Sequence, residues 1–165
     1  MPGQLLISDA NILIDMGAGG LIKAMFKLDC SFAVPDILFE EELKEQHAEL
    51  PGFGLKILEL GEEAVTYAEE LSVKYEKSGA GRNDLIALAL AAQEKCPLLT
   101  GDSHLREVCV DQKVDVHGTI WLVGKMIEQK VIGIAAARRA YSAMRKADRR
   151  LPWDEVNKQL GSYGK

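Results

Sequence analysis

Short apolar runs alternate with longer amphipathic segments along most of this 165-residue chain. A short apolar run favours a buried strand, whereas apolar residues spaced three and four positions apart favour a helix. The alternation predicts strands over residues 5–8, 31–34, 55–60, 97–100 and 114–117. It predicts helices over residues 19–28, 36–47 (with Asp36 as its cap), 62–77, 84–95 and 103–112. From residue 119 onward the pattern is helical, with loops near Gly133 and at Leu151-Pro152.

Alternating strands and helices indicate a parallel sheet that is covered on both faces. The predicted fold class is therefore α/β, a three-layer α/β/α Rossmann-like sandwich with C-terminal helices. The chain has no internal repeats or low-complexity linkers, and its length suits one domain, residues 1–165. Within that domain we expect a core over residues 1–117 and a helical extension over residues 118–165. Ligands of such sheets bind beyond the carboxyl ends of the strands, so the chemistry is expected at that edge.

The composition is that of an ordinary soluble protein, with 47% hydrophobic and 27% charged residues. The three cysteines are odd in number and lack disulfide or zinc spacing, which is typical of reduced thiols in the cytosol. No apolar run approaches the roughly 18 residues that span a bilayer, and no basic leader precedes an apolar segment. We therefore expect a cytoplasmic protein without membrane association.

The stretch "LLISDANILID" places an ionisable residue, Asp9, between two apolar runs. Burying an unpaired carboxylate costs several kcal/mol, roughly, so such a group is normally paired, metal-bound or at a strand end. Asp9 falls at the carboxyl end of the first predicted strand. It is the acidic residue for which a purely structural explanation is weakest.

Other acidic residues are predicted to reach the same edge of the sheet. Asp102 ends the fourth strand, Asp84 opens the helix that leads to it, and Glu40, Glu41 and Glu42 lie early in the helix after the second strand. Converging carboxylates repel one another unless a positive charge lies among them. A hard divalent cation such as Mg²⁺ or Mn²⁺, which prefers oxygen ligands, supplies that charge. Taken singly, Asp84 and Asp102 could be helix caps and the glutamates a solvated first turn.

Four segments together resemble the PIN-domain family of metal-dependent ribonucleases: "LLISDANILID", "VPDILFEEEL", "GRNDLIALALAAQEKCPLLTGD" and "SHLREV". The family's four acids would fall on Asp9, Glu41, Asp84 and Asp102 as catalytic and metal-binding residues. The spacing from Pro35 favours Glu41, whereas the "EL" that usually follows this glutamate would select Glu42. Asn11 and Thr100 match polar positions that support the acids.

The resemblance implies a ribonuclease that uses Mg²⁺ or Mn²⁺ to hydrolyse phosphodiester bonds of single-stranded or structured RNA. Many bacterial PIN proteins resemble the toxin of a type II toxin–antitoxin pair, so an antitoxin is an expected protein partner. PIN domains often pair, and the apolar residues of the helices in the first half of the chain, together with those around 121–127, exceed what one small sheet obviously covers. A homodimer is therefore expected as well.

Three rival functions remain to be compared, and the first two place an aspartate after the first strand of a similar fold. A phosphatase of the haloacid dehalogenase type needs a second aspartate two residues later, where this chain has Asn11. A response-regulator receiver needs an aspartate that ends the third strand and a lysine after the fifth, and both are missing from "LKILELGEE" and "DVHGT". A PIN-like scaffold that binds RNA or protein without cutting is the third, and retention of all four acids argues against it.

Charge is distributed unevenly along the chain. Residues 118–150 contain eight basic and two acidic residues, a net charge of +6, whereas residues 1–117 carry −11. If the segment "RRAYSAMRKADRR" is helical, Arg138, Arg145 and Arg149 share one face. Because an acidic cleft repels RNA, these arginines are candidate phosphate contacts. The alternatives are a solvated helix whose arginines pair with acids of the core, or a surface for an antitoxin.

Overall fold

The computed structural model describes residues 3–163 and contains one sheet of five parallel strands. The strand order is β3-β2-β1-β4-β5. The strands are β1 (Gln4–Ser8), β2 (Cys30–Pro35), β3 (Lys56–Leu58), β4 (Leu98–Leu99) and β5 (Val116–His117). All five predicted strands are present, each with slightly different ends.

Helices connect the strands and continue after the last one. They are α1 (Ala10–Ala18), α2 (Ile22–Met25), α3 (Asp36–Leu38), α4 (Lys44–His47), α5 (Leu50–Phe53), α6 (Glu62–Lys74), α7 (Arg82–Glu94), α8 (Ser103–Asp111), α9 (Thr119–Glu128), α10 (Ile134–Lys146) and α11 (Trp153–Tyr163). The predicted three-layer α/β/α fold with C-terminal helices is confirmed. Across residues 3–163, no helix combines the length and the apolar character needed to cross a bilayer.

Hydrogen bonds between neighbouring strands align their carboxyl ends. Ile7 pairs with Ala33 of β2 and with Leu98 of β4. The ladder continues one step beyond the strands, because the Asp9 amide donates to the Leu99 carbonyl at 3.0 Å and the Thr100 amide donates to the His117 carbonyl at 2.9 Å. The residues that follow β1, β4 and β5 therefore lie side by side at one edge of the sheet.

The core is continuous through the sheet and the C-terminal helices. The alanine-rich helix α7 packs against β1, β2 and β4, and α9 packs against α1, α2, α10 and α11. Leu122, Val123 and Met126 of α9 are fully buried by this packing. The helices of the chain itself thus cover the apolar residues around 121–127, so their number gives no support to the predicted homodimer.

Two predicted helices differ from the observed ones. The prediction of one helix over 19–28 is wrong, because the chain turns at Gly20, whose φ of +69° suits a glycine, and only the short α2 forms. Instead α1 occupies residues 10–18, a region without a predicted element. The helix predicted over 36–47 is interrupted by a π-helical turn over Phe39–Leu43. Pro35 rather than Asp36 occupies the cap position, and Asp36 Oδ1 accepts the Ile37 amide at 2.8 Å.

Candidate functional site

Asp9 follows β1 and caps helix α1. Its Oδ1 accepts a hydrogen bond from the Ile12 amide at 3.0 Å, and its Oδ2 accepts a short hydrogen bond from the Thr100 hydroxyl. The side chain has no solvent exposure. Ile12 and Leu13 of α1 are fully buried as well. Packing of the apolar face of α1 against the core therefore also buries the Asp9 carboxylate. The predicted support of Asp9 by Thr100 corresponds to this direct contact.

The environment of Asp9 disfavours its ionised form. The pKa of this carboxyl is raised to about 7 by the sum of several effects. Burial raises the pKa most, the hydrogen bonds from Thr100 and Ile12 lower it, and the charges of Asp84 and Asp15 raise it further. Burial is the largest of these effects because it removes the water that would stabilise the charge. No lysine or arginine between residues 3 and 163 forms an ion pair with Asp9, Asp84 or Asp102. Asp9 is therefore a buried acid without a protein cation.

Asp84 and Asp102 lie at the first turns of two other helices. Asp84 Oδ2 accepts the Gly81 amide at 3.2 Å where α7 begins, and Asp102 caps α8 by accepting the His104 amide at 2.8 Å. Burial and then the charges of Asp102 and Glu42 raise the pKa of Asp84, whereas the Gly81 hydrogen bond lowers it. The cap interpretation and the site interpretation are thus both compatible with the geometry, since capping uses only part of each carboxylate.

The π-helical turn decides which glutamate approaches the aspartates. Glu41 forms an ion pair with Arg82, with Glu41 Oε2 at 3.7 Å from Arg82 Nη1. Glu42 accepts a hydrogen bond from Asn83 Nδ2 at 2.9 Å, and its charge acts on Asp84. A π-turn holds an extra residue, so counting helical positions from Pro35 no longer identifies the inward side chain. Asn83 Nδ2, which the sequence analysis did not single out, also donates to Glu41 Oε1 at 3.2 Å, so only the effect of the Glu42 charge on Asp84 favours Glu42 over Glu41.

The four carboxylates Asp9, Glu42, Asp84 and Asp102 form one electrostatic group, which is called the acidic cluster below. Asp84 is its centre, because its charge acts on Asp9 while the charges of Asp102 and Glu42 act on it. Between residues 3 and 163, no three His, Cys, Asp or Glu side chains are close enough together to hold a metal ion as they stand. The donor chemistry nevertheless fits a hard divalent cation, which binds through carboxylate oxygens and retains several waters.

Asp15 carries a second buried carboxylate of the opening stretch, and this one is paired. Its Oδ1 accepts from Arg149 Nε at 2.6 Å, and its Oδ2 accepts from the Thr119 hydroxyl at 2.7 Å. Arg149 also reaches Asn11 Oδ1 at 3.3 Å. The sequence analysis missed Asp15, although the apolar flanks that singled out Asp9 surround it as well. Asn11 is exposed and contacts Arg149 rather than any member of the acidic cluster.

The three arginines of the predicted RNA-binding face have different surroundings. Arg149 belongs to the Asp15 ion pair, and the Arg145 guanidinium lies 5.0 Å from the centre of the Trp153 ring. Arg138 is exposed on α10. The expectation that some basic residues pair with acids of the core thus applies to Arg149. RNA contact by Arg138 and Arg145 stays a prediction.

The sequence model of the PIN-domain family matches residues 5–165. This chain belongs to the PIN-domain family. The match includes the extension, so the helices after residue 117 are part of the family pattern in this PIN domain. The family is one of nucleases in general, which agrees with the chemistry that the acidic cluster suggests. A comparison with curated proteins finds no match.

A solved structure with a similar fold is VapBC2 from Rickettsia felis bound to a DNA fragment from its promoter. The TM-score is 0.50 at 17% sequence identity, and the alignment covers 70% of this chain and 98% of that chain. At this identity the likeness shows the fold of this PIN domain.

The assignment of Glu42 predicts different effects for two neighbouring substitutions. Glu42→Gln removes a charge that acts on Asp84, so Mn²⁺ affinity, measured by calorimetry, should fall about tenfold or more. Glu41→Gln removes a partner of Arg82 on the surface and should change the affinity less than about threefold. The matched pair differs only in position. Equal losses, or a larger loss from Glu41→Gln, would favour Glu41 as the ligand.

Proposed function

We propose that this PIN domain is an endoribonuclease that uses Mg²⁺ or Mn²⁺ to hydrolyse phosphodiester bonds of RNA. The observation that carries the proposal is Asp9, a fully buried carboxylate whose neighbours Asp84 and Asp15 raise its pKa further. Asp15 forms an ion pair with Arg149, but no lysine or arginine among the described residues forms an ion pair with the acidic cluster. A divalent cation is the simplest partner that would relieve this repulsion.

Asp9, Glu42, Asp84 and Asp102 would hold the metal ion. When bound, the ion lowers the pKa of a water and neutralises charge on the leaving oxygen. Thr100 and the Ile12 amide hold the Asp9 carboxylate from both oxygens, which fixes its orientation. Asn83 positions Glu42, and the amides of α8 position Asp102. No histidine, serine or cysteine nucleophile is required by this arrangement.

The second candidate function is a PIN-like scaffold that binds RNA or protein without cutting. The position of Glu41 supports it, because the ion pair with Arg82 holds this glutamate at the surface. Glu42 remains available to the acidic cluster, however, and so do three aspartates. The nuclease is therefore the better-supported proposal, and cleavage assays separate the two.

An antitoxin and a second copy of this chain are the proposed protein partners. The similarity of the fold to a VapBC2 structure supports the toxin role of a toxin–antitoxin pair. Exposed apolar side chains that a partner could cover include Ile57 of the edge strand β3, together with Val65 and Val73 of α6. We therefore propose that a homodimer would form through these exposed residues rather than through the buried residues of α9.

Metal binding should be measurable on the protein alone. At a Mn²⁺ concentration of about 100 times Kd, binding stabilises the native state by about 2.7 kcal/mol. For a domain of this size that corresponds to a rise in Tm of roughly 5–10 °C. EDTA should reverse the rise and stop cleavage of a labelled single-stranded RNA. Cleavage that persists in EDTA would refute the metal mechanism, and a Tm shift without cleavage would favour the scaffold.

A further inference from the structure

A cavity of about 670 Å³ opens beside the acidic cluster. Gly101 lines it, and this residue stands between Thr100, which contacts Asp9, and Asp102. The other walls come from the start of α8, the end of β5, the first turn of α9 and the segment before α11. The volume is within the range of about 300–1,000 Å³ that is typical of ligand pockets. Through Gly101, the cavity lies one residue from both Thr100 and Asp102 at the candidate metal-binding edge of the sheet.

Two arginines line this cavity. Arg106 Nη2 donates to the Thr100 carbonyl at 3.4 Å, a long hydrogen bond that leaves most of the guanidinium donors available. Arg150 is exposed and forms no ion pair with any residue between 3 and 163. Glu155 contributes the single lining carboxylate. The lining is therefore net positive, in contrast to the acidic cluster next to it.

An aromatic stack forms another part of the wall. The rings of His117 and Trp121 lie 4.1 Å apart between their centres, at an angle of 11°. Burial lowers the pKa of His117, and the Arg106 and Lys125 charges lower it further against the opposing effect of Asp115. These effects together favour the neutral form of the imidazole. Flat neutral rings beside cationic groups are the features with which proteins hold single-stranded nucleic acid.

The C-terminal extension fixes the outer wall. Arg150, Leu151 and Pro152 belong to the connection between α10 and α11. The residue before them, Arg149, is anchored by its ion pair with Asp15, and the same carboxylate binds Thr119, which also lines the cavity. One buried group thus sets the positions of both the α9 turn and the connection that carries Arg150. Pre-ordering of this kind reduces the entropy lost when a ligand binds.

We propose that this cavity is the subsite for a nucleotide of single-stranded RNA next to the bond that is cut. Arg106 and Arg150 bind its phosphates, and the His117–Trp121 stack contacts its base. The inference rests on the proposed nuclease function, because it names how that site would hold its substrate. It assigns substrate binding to Arg150 at the end of the basic segment rather than to the face of Arg138 and Arg145.

Binding can be tested without cleavage. The affinity of a fluorescein-labelled single-stranded RNA is measured by anisotropy in EDTA at several salt concentrations. Arg150→Gln should weaken binding about threefold to tenfold and reduce the slope of log K against log salt by about 0.7, the value for one phosphate contact on a single strand. Trp121→Ala should weaken it about tenfold or more, and Trp121→Phe should retain most of the affinity.

Lys56→Gln is the matched control, because it removes one exposed positive charge at the amino end of β3, the opposite edge of the sheet. It should leave the affinity and the salt slope nearly unchanged. The inference is overturned if Arg150→Gln binds RNA like Lys56→Gln, or if Trp121→Ala is folded and binds RNA like the parent. It is overturned too if the parent binds duplex RNA as well as the single strand, or no RNA in EDTA. Parent protein that binds through these residues but never cuts RNA refutes the nuclease proposal alone.

Discussion

Asp9→Asn should reduce metal-dependent RNA cleavage by about a hundredfold or more while the protein stays folded. Asparagine keeps the size of the side chain, and its Oδ1 can still accept the Ile12 amide. Its NH2 group takes the place of Oδ2, so the contact with Thr100 is kept only if the amide donates to the hydroxyl oxygen. It removes the charge that a divalent cation would bind. Because even the residues that support metal ligands are worth about tenfold to a hundredfold, loss of a ligand should exceed that. Cleavage rates with Mn²⁺, and circular dichroism for the fold, measure the two effects.

The same substitution should change how stability depends on pH. The pKa of Asp9 is about 7 in the folded protein and 3.8 as the reference value, so unfolding between these pH values releases a proton. The free energy of unfolding of the metal-free parent should therefore fall as pH rises from about 4 to 7, by up to about 1.4 kcal/mol per pH unit. Asp9→Asn should flatten this decline and raise the Tm at pH 8. Unchanged cleavage together with a lower Tm would make Asp9 a purely structural residue.

The fold was predictable because its signals are local and repeated. Each strand is a short apolar run bounded by glycine, proline or charged residues, and each of the helices α6, α7 and α8 has a clear period. The errors fall where tertiary packing overrides the local pattern. Residues 10–18 contain one short apolar run, residues 12–14, which resembles a strand, but the Asp9 cap and the burial of Ile12 and Leu13 make the segment a helix.

The candidate site was predictable in outline for a topological reason. Parallel strands bring their carboxyl ends to one edge, so Asp9, Asp84 and Asp102 could be grouped without knowing any distance. Two features had no such signal. The π-turn over Phe39–Leu43 shifts the helical phase by one residue, which sequence spacing cannot detect, and it favours Glu42 over Glu41. The partner of Asp15 is 134 residues away, so only the folded chain identifies it.

Removing the arginine of that pair should cause the largest loss of stability predicted for this protein. Asp15 is buried, with 4% of its surface exposed. Arg149→Met leaves its carboxylate without a cation and with only the Thr119 hydroxyl as a partner. Breaking a buried ion pair in this way costs about 3–5 kcal/mol. Since the Arg149 side chain is a quarter exposed, the lower end of that range is expected. Unfolding in urea measures it, and Tm should fall by roughly 6–12 °C.

A second substitution distinguishes this explanation from a role in binding RNA. In Arg149→Met with Asp15→Asn, the buried group is neutral and can still accept from Thr119, so the double variant should recover about 1–3 kcal/mol relative to Arg149→Met alone. Arg145→Met is the control within the same basic segment. It loses only the contact with Trp153, worth about 0.5–1 kcal/mol at an exposed site. If Arg149→Met is as stable as Arg145→Met yet binds RNA more weakly, Arg149 acts on the substrate, as the charge pattern of the segment first suggested.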